Sequence, residues 1–280
     1  MSDEDKNQET PPQHESQLAD SLTVDTPDST SAAPERPPIA TAALSAVFPL
    51  FNDAAGLPKT LAEWAKTFDA LNRDYEILLV DDASTDQTPT LVGELAGGRV
   101  RVIRHETRRG LGAALRTGLE AARFPLLLFS TCDGRFQPAD IHQFLKWIDK
   151  VDMVCGFRSR QTGAYRPTWA DRVYRWLMRA VFALRLKDPE CLYLLARRSI
   201  FSRIPIQADG PFGFTEVLAK ANFLGCLMHE APVSYVPNAE AGTKWATVSL
   251  RDKLTGFRRV FSKPDFGPAI LPVKEQAPSQ

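Results

Sequence analysis

The sequence predicts an α/β fold in which a mixed, mostly parallel β-sheet is flanked by helices. Short apolar runs alternate with amphipathic segments of about 10–15 residues, a pattern typical of successive strand–helix–strand units. Acidic residues directly follow several of these runs, as expected where strands end beside a ligand-binding crevice. A length of 280 residues and an apolar content of 44% are sufficient for one large domain.

Five strands are predicted from the apolar runs. Each run is short and is bounded by turn residues or by an amphipathic segment, which favours a strand over a buried helix. Most of the runs contain few charged residues, as in a sheet that helices cover on both faces. The predicted strands are 44–49, 75–80, 100–104, 125–129 and 153–157.

Helices are predicted between these strands. The segment 57–71 has apolar residues at three- and four-residue spacing, which indicates an amphipathic helix. After the second strand, Thr85 or Asp86 could cap a further helix through its side-chain oxygen. A third helix is expected at about 111–122, and another begins near Pro138.

Two basic amphipathic segments, 168–186 and 248–261, follow the fifth strand. Cationic helix faces attract anionic lipid headgroups by about 1 kcal/mol per residue, so either helix could lie on a membrane surface. Each could equally be an ordinary half-buried surface helix. Trp169 and Trp176 are expected in the core or in an interface. The apolar face of the first segment is predicted to contain Val173, Tyr174, Leu177, Val181 and Leu184.

Both ends of the chain are predicted to be disordered. Residues 1–38 contain nine acidic residues against two basic ones, and the polar residues between them could not form a core. They also lack the basic and then apolar pattern of a signal peptide. We expect an acidic tail at 1–38, one α/β domain at 39–245, a basic amphipathic helix at 246–263 and a C-terminal tail at 264–280.

Several other kinds of protein are not expected. The four cysteines and four histidines lack the spacing of zinc ligands, and reduced thiols in the cytosol are the simplest account of the cysteines. The glycines at 110–112 lack the full spacing of a dinucleotide-binding loop. No run approaches the roughly 20 apolar residues of a membrane-spanning helix. A nucleic-acid partner is not expected.

Acidic side chains are predicted to meet at one edge of the sheet. Asp53 follows the first strand, Asp81 and Asp82 follow the second, and Asp133 follows the fourth. Any one of them could be a turn residue or a helix cap. Together they could hydrogen-bond a base and a ribose and hold a divalent cation against a pyrophosphate.

Successive motifs resemble those of family 2 glycosyltransferases, which have the GT-A fold, a Rossmann-like fold for nucleotide-diphospho-sugar transfer. The motifs are 48–53 (FPLFND), 79–88 (LVDDASTDQT) and 109–118 (RGLGAALRTG). The branch that is most similar contains dolichyl-phosphate mannose synthase and bacterial polyprenyl-phosphate glycosyltransferases. Later landmarks of that branch resemble 214–216, 230–233 and 242–244.

The resemblance implies that Pro49, Phe51, Asp53, Asp81 and Asp82 line a nucleotide-sugar pocket. It also implies an Asp-Xaa-Asp motif after the fourth strand, which would bind Mg²⁺ or Mn²⁺ together with the diphosphate. The expected reaction is the inverting transfer of a hexose from a UDP- or GDP-sugar to a polyprenyl or dolichyl phosphate. The expected location is the cytoplasm, at the cytoplasmic face of the membrane, where a membrane-anchoring partner protein could hold the enzyme.

The chain departs from the family pattern at the Asp-Xaa-Asp motif. Thr131 stands where the first aspartate is expected, and Arg135 replaces a metal-binding glutamine of the mannose synthases, so Asp133 is the only acid left. In one interpretation Asp133 still recruits a metal ion, with help from Thr131 or Gln137 and from water. In a second, Arg135 replaces part of the metal's charge and the site is metal-independent. In a third, the protein binds sugar nucleotides or lipid phosphates without catalysis.

The acceptor site is predicted from basic residues after the fifth strand. Arg158 with Arg160 or Arg166 could hold the phosphate of a lipid acceptor, although these residues could also belong to a solvated loop. A phosphate acceptor would need no strong general base, because it is largely ionised at neutral pH. For a hydroxyl acceptor, Glu216 would be the first candidate base.

Overall fold

The computed structural model describes residues 38–159, 168–236, 257–258 and 262–267. Within these ranges the chain forms one seven-stranded sheet. The strands are β1 (Leu44–Leu50), β2 (Tyr75–Asp81), β3 (Val100–Arg104), β4 (Leu126–Phe129), β5 (Met153–Arg158), β6 (Leu194–Arg197) and β7 (Met228–Val233). Each end of the five predicted strands is therefore confirmed to within one residue, and β6 and β7 are additional strands.

The strand order is β3-β2-β1-β4-β6-β5-β7. β1 pairs in parallel with β2 and β4, β2 with β3, and β5 with β7. Only β6 is antiparallel to its neighbours β4 and β5 within the described sheet. The sheet is therefore mixed and mostly parallel, as predicted, and the carboxyl ends of β1, β2 and β4 meet at one edge.

Six α-helices connect or cover the strands in the described ranges. They are α1 (Leu57–Asp69), α2 (Thr88–Leu95), α3 (Leu111–Ala121), α4 (Ile141–Leu145), α5 (Trp169–Phe182) and α6 (Phe212–Phe223). α2 begins later than the predicted caps, although the Asp86 carboxylate accepts a hydrogen bond from the Thr88 N–H at 2.9 Å. A 3₁₀ turn that starts at Pro138 precedes the short helix α4.

Hydrophobic cores lie on both faces of the sheet, because alternate residues of each central strand point to opposite sides. Val47 belongs to one core and Phe48 to the other. Helix α3 lies very close to β1 in the first core. A Cβ added to Gly118 would stand 2.2 Å from Cγ1 of Val47, so the helix can approach the strand only because residue 118 is glycine.

The predicted apolar face of helix α5 is confirmed at four of its five positions. Tyr174 and Leu184 are buried, and Leu177 and Val181 pack partly buried against the same core, whereas Val173 is 43% exposed. Met178 and Phe182 are further buried residues of this helix. Trp169 and Trp176, expected in a core or an interface, are 73% and 68% exposed, so they are not core residues. The helix starts with a capping box between Thr168 and Asp171. It ends at Phe182 rather than near 186, because the backbone of Ala183 adopts the left-handed conformation that terminates helices.

Several sequence predictions concern parts of the chain that lie partly or wholly outside the described residues. The basic segment 248–261 and the motif at 242–244 lie largely or wholly outside the described residues, as do the 1–37 part of the acidic tail and residues 268–280. The predicted domain boundaries therefore stay predictions. Among the described helices, none combines the length and the apolar character needed to cross a bilayer.

Candidate active site

A cleft lies at the carboxyl edge of the sheet, beside the segment that follows β4. Thr131 and Arg135 reach it from this segment, and Arg158 reaches it from the end of β5. Charged residues of both signs therefore line the cleft together with aromatic ones. Its other lining residues are Leu111, Phe136, Asp171, Tyr174, Glu190, Leu192, Pro211, Phe214, Thr215 and Tyr235.

Asp133 is held on several sides by its own segment. Its Oδ1 accepts hydrogen bonds from the Thr131 hydroxyl at 2.8 Å and from the Arg135 backbone N–H at 3.1 Å. Its Oδ2 accepts one from Arg135 Nε at 2.7 Å. The chain can turn back in this way because Gly134 has a φ of 80°, which favours glycine. The carboxylate is only 1% exposed.

These residues do not fit a metal site of the Asp-Xaa-Asp kind. Mg²⁺ and Mn²⁺ prefer several oxygen ligands, and the first aspartate position holds Thr131, whose hydroxyl donates to Asp133. Gln137, the other predicted helper, is exposed and is not among the residues that line the cleft. In the part of the chain that the structure describes, no group of three or more His, Cys, Asp or Glu side chains could hold a metal ion.

Asp53 lies next to this pair of charges. Its Oδ2 accepts a hydrogen bond from the Phe51 N–H at 2.9 Å, and its own N–H donates to Thr88 Oγ1 at 2.9 Å. The pKa of Asp53 is raised to about 7, because burial and the negative charge of Asp133 outweigh the lowering effects of the Phe51 N–H and of the positive charge of Arg135. Asp53, Asp133 and Arg135 therefore form one electrostatic cluster where β1 and β4 end.

The nucleotide-pocket residues implied by the resemblance surround the ends of β1 and β2. Pro49 lies within β1, and the Phe51 ring that follows it is covered by the Arg108 guanidinium at 3.9 Å from the ring centre. Asp81 is fully buried. Its Oδ1 accepts a hydrogen bond from the Ser84 N–H at 3.0 Å, and its Oδ2 lies 3.3 Å from Arg104 Nε. Oδ2 accepts no hydrogen bond from the described residues.

Asp82 holds the loop that leads into α3. Its Oδ1 accepts from the Arg109 N–H at 2.8 Å and lies 2.7 Å from Nδ1 of His105, and its Oδ2 accepts from the Gly110 N–H at 2.8 Å. Both oxygens are therefore engaged by the protein itself. Asp82 therefore fixes the 105–110 loop, while its predicted contact with the nucleotide stays a prediction.

Arg158 is fixed by Asp188, which sequence analysis missed. Nε and Nη2 of Arg158 donate to the two carboxylate oxygens at 2.6 and 2.8 Å, and the arginine also stands 5.5 Å from the Tyr235 ring centre. The only signal in the sequence is that Asp188 and Glu190 directly follow a strongly basic stretch. The predicted partners Arg160 and Arg166 lie outside the described residues.

Glu216 is buried away from the cleft lining. Its carboxylate accepts hydrogen bonds from the backbone N–H groups of Gln207 and Ala208 and forms an ion pair with Lys220 at 2.6 Å. The preceding residue, Thr215, does line the cleft and accepts a hydrogen bond from the Tyr174 hydroxyl at 3.0 Å. The general-base role of Glu216 stays a prediction, and these contacts do not favour it.

Comparison with known proteins identifies similar sequences. Residues 45–215 match the model of the family described as Glycosyl transferase family 2. An uncharacterized glycosyltransferase of Mycobacterium bovis is 29% identical over 217 residues, which are 76% of this chain and 93% of that protein. The dodecaprenyl-phosphate galacturonate synthase of Rhizobium johnstonii is 26% identical over 183 residues, which are 61% of this chain and 53% of that enzyme.

Solved structures share the fold. Glucosyl-3-phosphoglycerate synthase from Mycobacterium tuberculosis, in complex with UDP, matches with a TM-score of 0.61 and 20% identity, over 80% of this chain and 79% of that one. The same enzyme has been solved with Mn²⁺, UDP and phosphoglyceric acid. At this level of identity the likeness shows the fold alone, and it confirms the predicted α/β architecture of the GT-A type.

Proposed function

The chain belongs to glycosyl transferase family 2, and we propose that it transfers a hexose from a UDP- or GDP-sugar to a polyprenyl phosphate at the cytoplasmic face of a membrane. The observation that carries the proposal is the cluster of buried acids and arginines beside the cleft, at the carboxyl ends of β1, β2 and β4. Ligands of open α/β sheets bind at this edge. The name of the Rhizobium johnstonii relative supports a polyprenyl-phosphate acceptor.

The donor would bind across the ends of β1, β2 and β4. Asp81 offers a buried carboxylate oxygen to a base N–H, since that atom accepts no hydrogen bond from the described residues. Asp53 and the Phe51 ring directly follow the neighbouring strand β1 and would contact the ribose or the base. The diphosphate would then extend toward Arg135, which lines the cleft.

The acceptor phosphate would bind on the Arg158 side of the cleft. The guanidinium is held at a fixed angle by Asp188, and its position beside Tyr235 is open to the same cleft as Arg135. An ionised phosphate oxygen would attack the anomeric carbon. The bond from that carbon to the β-phosphate oxygen would break, its electron pair would stay on that oxygen, and the nucleoside diphosphate would leave. No general base is needed, in keeping with the buried contacts of Glu216.

The exposed face of α5 supports the membrane part of the proposal. Trp169, Val173 and Trp176 form an apolar stripe opposite the buried face, and the exposed Arg172 and Arg179 flank it. Tryptophan and arginine together suit the interface between water and an anionic bilayer. We propose that this stripe lies on the membrane surface from which the acceptor is taken.

The decisive experiment measures binding and transfer separately. Thermal shifts with a panel of UDP- and GDP-sugars should show stabilisation by at least one of them. With that donor, sugar should then be transferred to undecaprenyl phosphate and detected as a glycolipid. Binding without transfer to this lipid or to any hydroxyl acceptor would favour the non-catalytic alternative, and transfer to a hydroxyl acceptor alone would refute the lipid acceptor.

The membrane contact has its own test, sedimentation with anionic liposomes at low salt. Replacing both Trp169 and Trp176 by alanine should weaken binding roughly ten-fold or more, since two large apolar side chains are lost. Trp147→Ala is the matched control, because Trp147 is also partly exposed but is stacked on His229 at 3.8 Å elsewhere on the surface. Equal binding by all variants would refute the assignment of α5, and binding only with a membrane protein present would indicate an anchoring partner.

A further inference from the structure

Arg135 stands in the cleft as the partner of the single motif acid, Asp133. Its Nε donates to Oδ2 of Asp133 at 2.7 Å, and its backbone N–H donates to Oδ1 at 3.1 Å. The ion pair is almost completely buried, with side-chain exposures of 9% and 1%. The carboxylate that the family motif would offer to a metal ion is thus already paired with a fixed positive charge.

From this geometry we infer that Arg135 takes over the role of the divalent cation and that this protein binds the diphosphate of its sugar nucleotide without a metal. The inference rests on the proposed function, because it concerns the same donor site. It goes further by assigning the diphosphate contact to one side chain. It also explains both departures from the motif, Thr131 and Arg135, by one change: the positive charge beside the diphosphate comes from a guanidinium instead of a metal ion.

The orientation of the guanidinium suits this role. An arginine carries five N–H donors in a planar fork, and Asp133 uses the one on Nε. Within the described part of the chain, no hydrogen bond is formed by Nη1 or Nη2 of Arg135, although the side chain lines the cleft. These two groups carry the other four N–H donors, and one donor from each points in the same direction along the edge that joins Nη1 and Nη2. A diphosphate could accept them in the bidentate manner that guanidinium groups favour.

The backbone around Arg135 is fixed as well. The Val236 N–H donates to the Arg135 carbonyl at 2.9 Å, and Phe136 forms a β-bridge with Tyr235. The Thr131 hydroxyl completes the arrangement by donating to the same aspartate at 2.8 Å. Little reorganisation is therefore needed when a phosphate binds, which is the condition under which a charged donor contributes most to binding and to leaving-group stabilisation.

The charge balance of the cleft also requires a cation at this position. Asp53 and Asp133 both lie close to Arg135, and a diphosphate would add further negative charge. The second arginine, Arg158, is already paired with Asp188 through two hydrogen bonds. A divalent ion at Asp133 would have to displace the guanidinium or stand beside its positive charge, and both alternatives are unfavourable.

The experiment measures nucleotide affinity by isothermal titration calorimetry, with UDP and GDP as probes. Each titration is done once with EDTA and once with Mn²⁺. The wild-type protein should bind at least one probe with the same Kd in both conditions, within about two-fold. Mn²⁺ titrated alone or with the nucleotide should give no bound signal in electron paramagnetic resonance at concentrations near those of the protein.

Variants of Arg135 test whether its guanidinium contacts the diphosphate. Arg135→Gln should weaken diphosphate binding by roughly ten-fold or more, as expected for the loss of charge-assisted hydrogen bonds, and Arg135→Lys should weaken it less. Binding of the phosphate-free nucleosides uridine and guanosine should be unchanged. Arg101→Gln is the matched control, because Arg101 also pairs with a buried carboxylate, Glu76 at 2.7 Å, but at the amino end of β2. Circular dichroism shows which variants are folded.

A gain of function provides the reciprocal test. Thr131→Asp combined with Arg135→Gln restores a second acid and removes the competing cation, so this variant should bind Mn²⁺ and should need it for nucleotide binding. Wild-type affinity that is lost in EDTA and restored by Mn²⁺ would overturn the inference and leave the proposed function intact. If neither nucleotide binds in either condition, the proposed function fails and the inference fails with it.

Discussion

Replacement of Lys220 by methionine tests whether the buried Glu216 carboxylate stabilises the fold. Lys220 Nζ donates to Glu216 Oε1 and to the Pro205 carbonyl, both at 2.6 Å, and to Gln207 Oε1 at 3.0 Å. The lysine and glutamate side chains are 3% and 0% exposed. Removing the ammonium leaves a buried carboxylate that retains only backbone N–H donors from residues 207 and 208.

The expected cost follows from this burial. Removal of one partner of a buried ion pair destabilises a protein by about 3–5 kcal/mol, because the remaining charge has no compensation. Lys220→Met should therefore lower the free energy of unfolding by that amount in urea titrations at neutral pH. Lys66→Met is the matched control, since Lys66 is an exposed lysine of α1, and it should change stability by less than about 0.5 kcal/mol.

A double-mutant cycle separates the structural role of Glu216 from a catalytic one. Glu216→Gln combined with Lys220→Met removes both charges, so the double variant should be more stable than Lys220→Met alone. A loss below 1 kcal/mol for Lys220→Met would refute the reasoning. So would a Glu216→Gln variant that keeps full stability but loses all sugar transfer, because that result would make Glu216 the catalytic base.

Three further predictions concern stability near the site and can be checked by the same urea titrations. In the folded protein Asp53 has a pKa of about 7 instead of 3.8, so the native state holds the extra proton between these values. Its unfolding free energy should therefore fall by roughly 4 kcal/mol as pH rises from 4 to 7, whereas Asp53→Asn should lack this loss. Gly118→Ala should destabilise by about 1–3 kcal/mol, since the new Cβ would stand 2.2 Å from Val47 Cγ1. Ala83→Gly should stabilise by up to about 1 kcal/mol, because Ala83 has a φ of 57°. If the unfolding free energies of the wild-type protein and of Asp53→Asn changed with pH in the same way, the argument from the Asp53 pKa would be contradicted. Stabilisation by Gly118→Ala, or destabilisation by Ala83→Gly, would contradict the other two arguments.

Local sequence patterns were sufficient to predict five of the seven described strands, but the pairing between distant parts of the chain was not predictable from them. β1 to β5 are apolar runs with clear boundaries, so each could be recognised alone. β6 has only four residues, Leu194–Arg197, and is a strand because β4 and β5 lie on either side of it. The face of α5 was misjudged at Val173 for a similar reason, since the packing of Tyr174 against α6 decides the rotation.

For the candidate site too, the features that depend on nearby residues were predictable, and those that depend on distant residues were not. The acids at the ends of β1, β2 and β4 were predicted, because the carboxyl ends of parallel strands meet at one edge. The Asp133–Arg135 pair spans two residues and could be suspected from the altered motif. The partnership of Arg158 with Asp188 joins residues 30 positions apart, and no periodicity in the sequence indicates it.

Under the proposed function, the two arginine–aspartate pairs of the cleft would serve ligand binding more than folding. Burying an ion pair costs desolvation that its attraction only about repays, so an apolar pair in the same place would be at least as stable. Asp133 and Asp188 each accept from Nε of an arginine and so fix the direction of a guanidinium that lines the same cleft. Since fixed donors lose little entropy when an anion binds, the pairs suit two phosphate groups, one from the donor and one from the acceptor. A transferase with this arrangement would select its substrates by the spacing of two fixed cations and not by metal coordination.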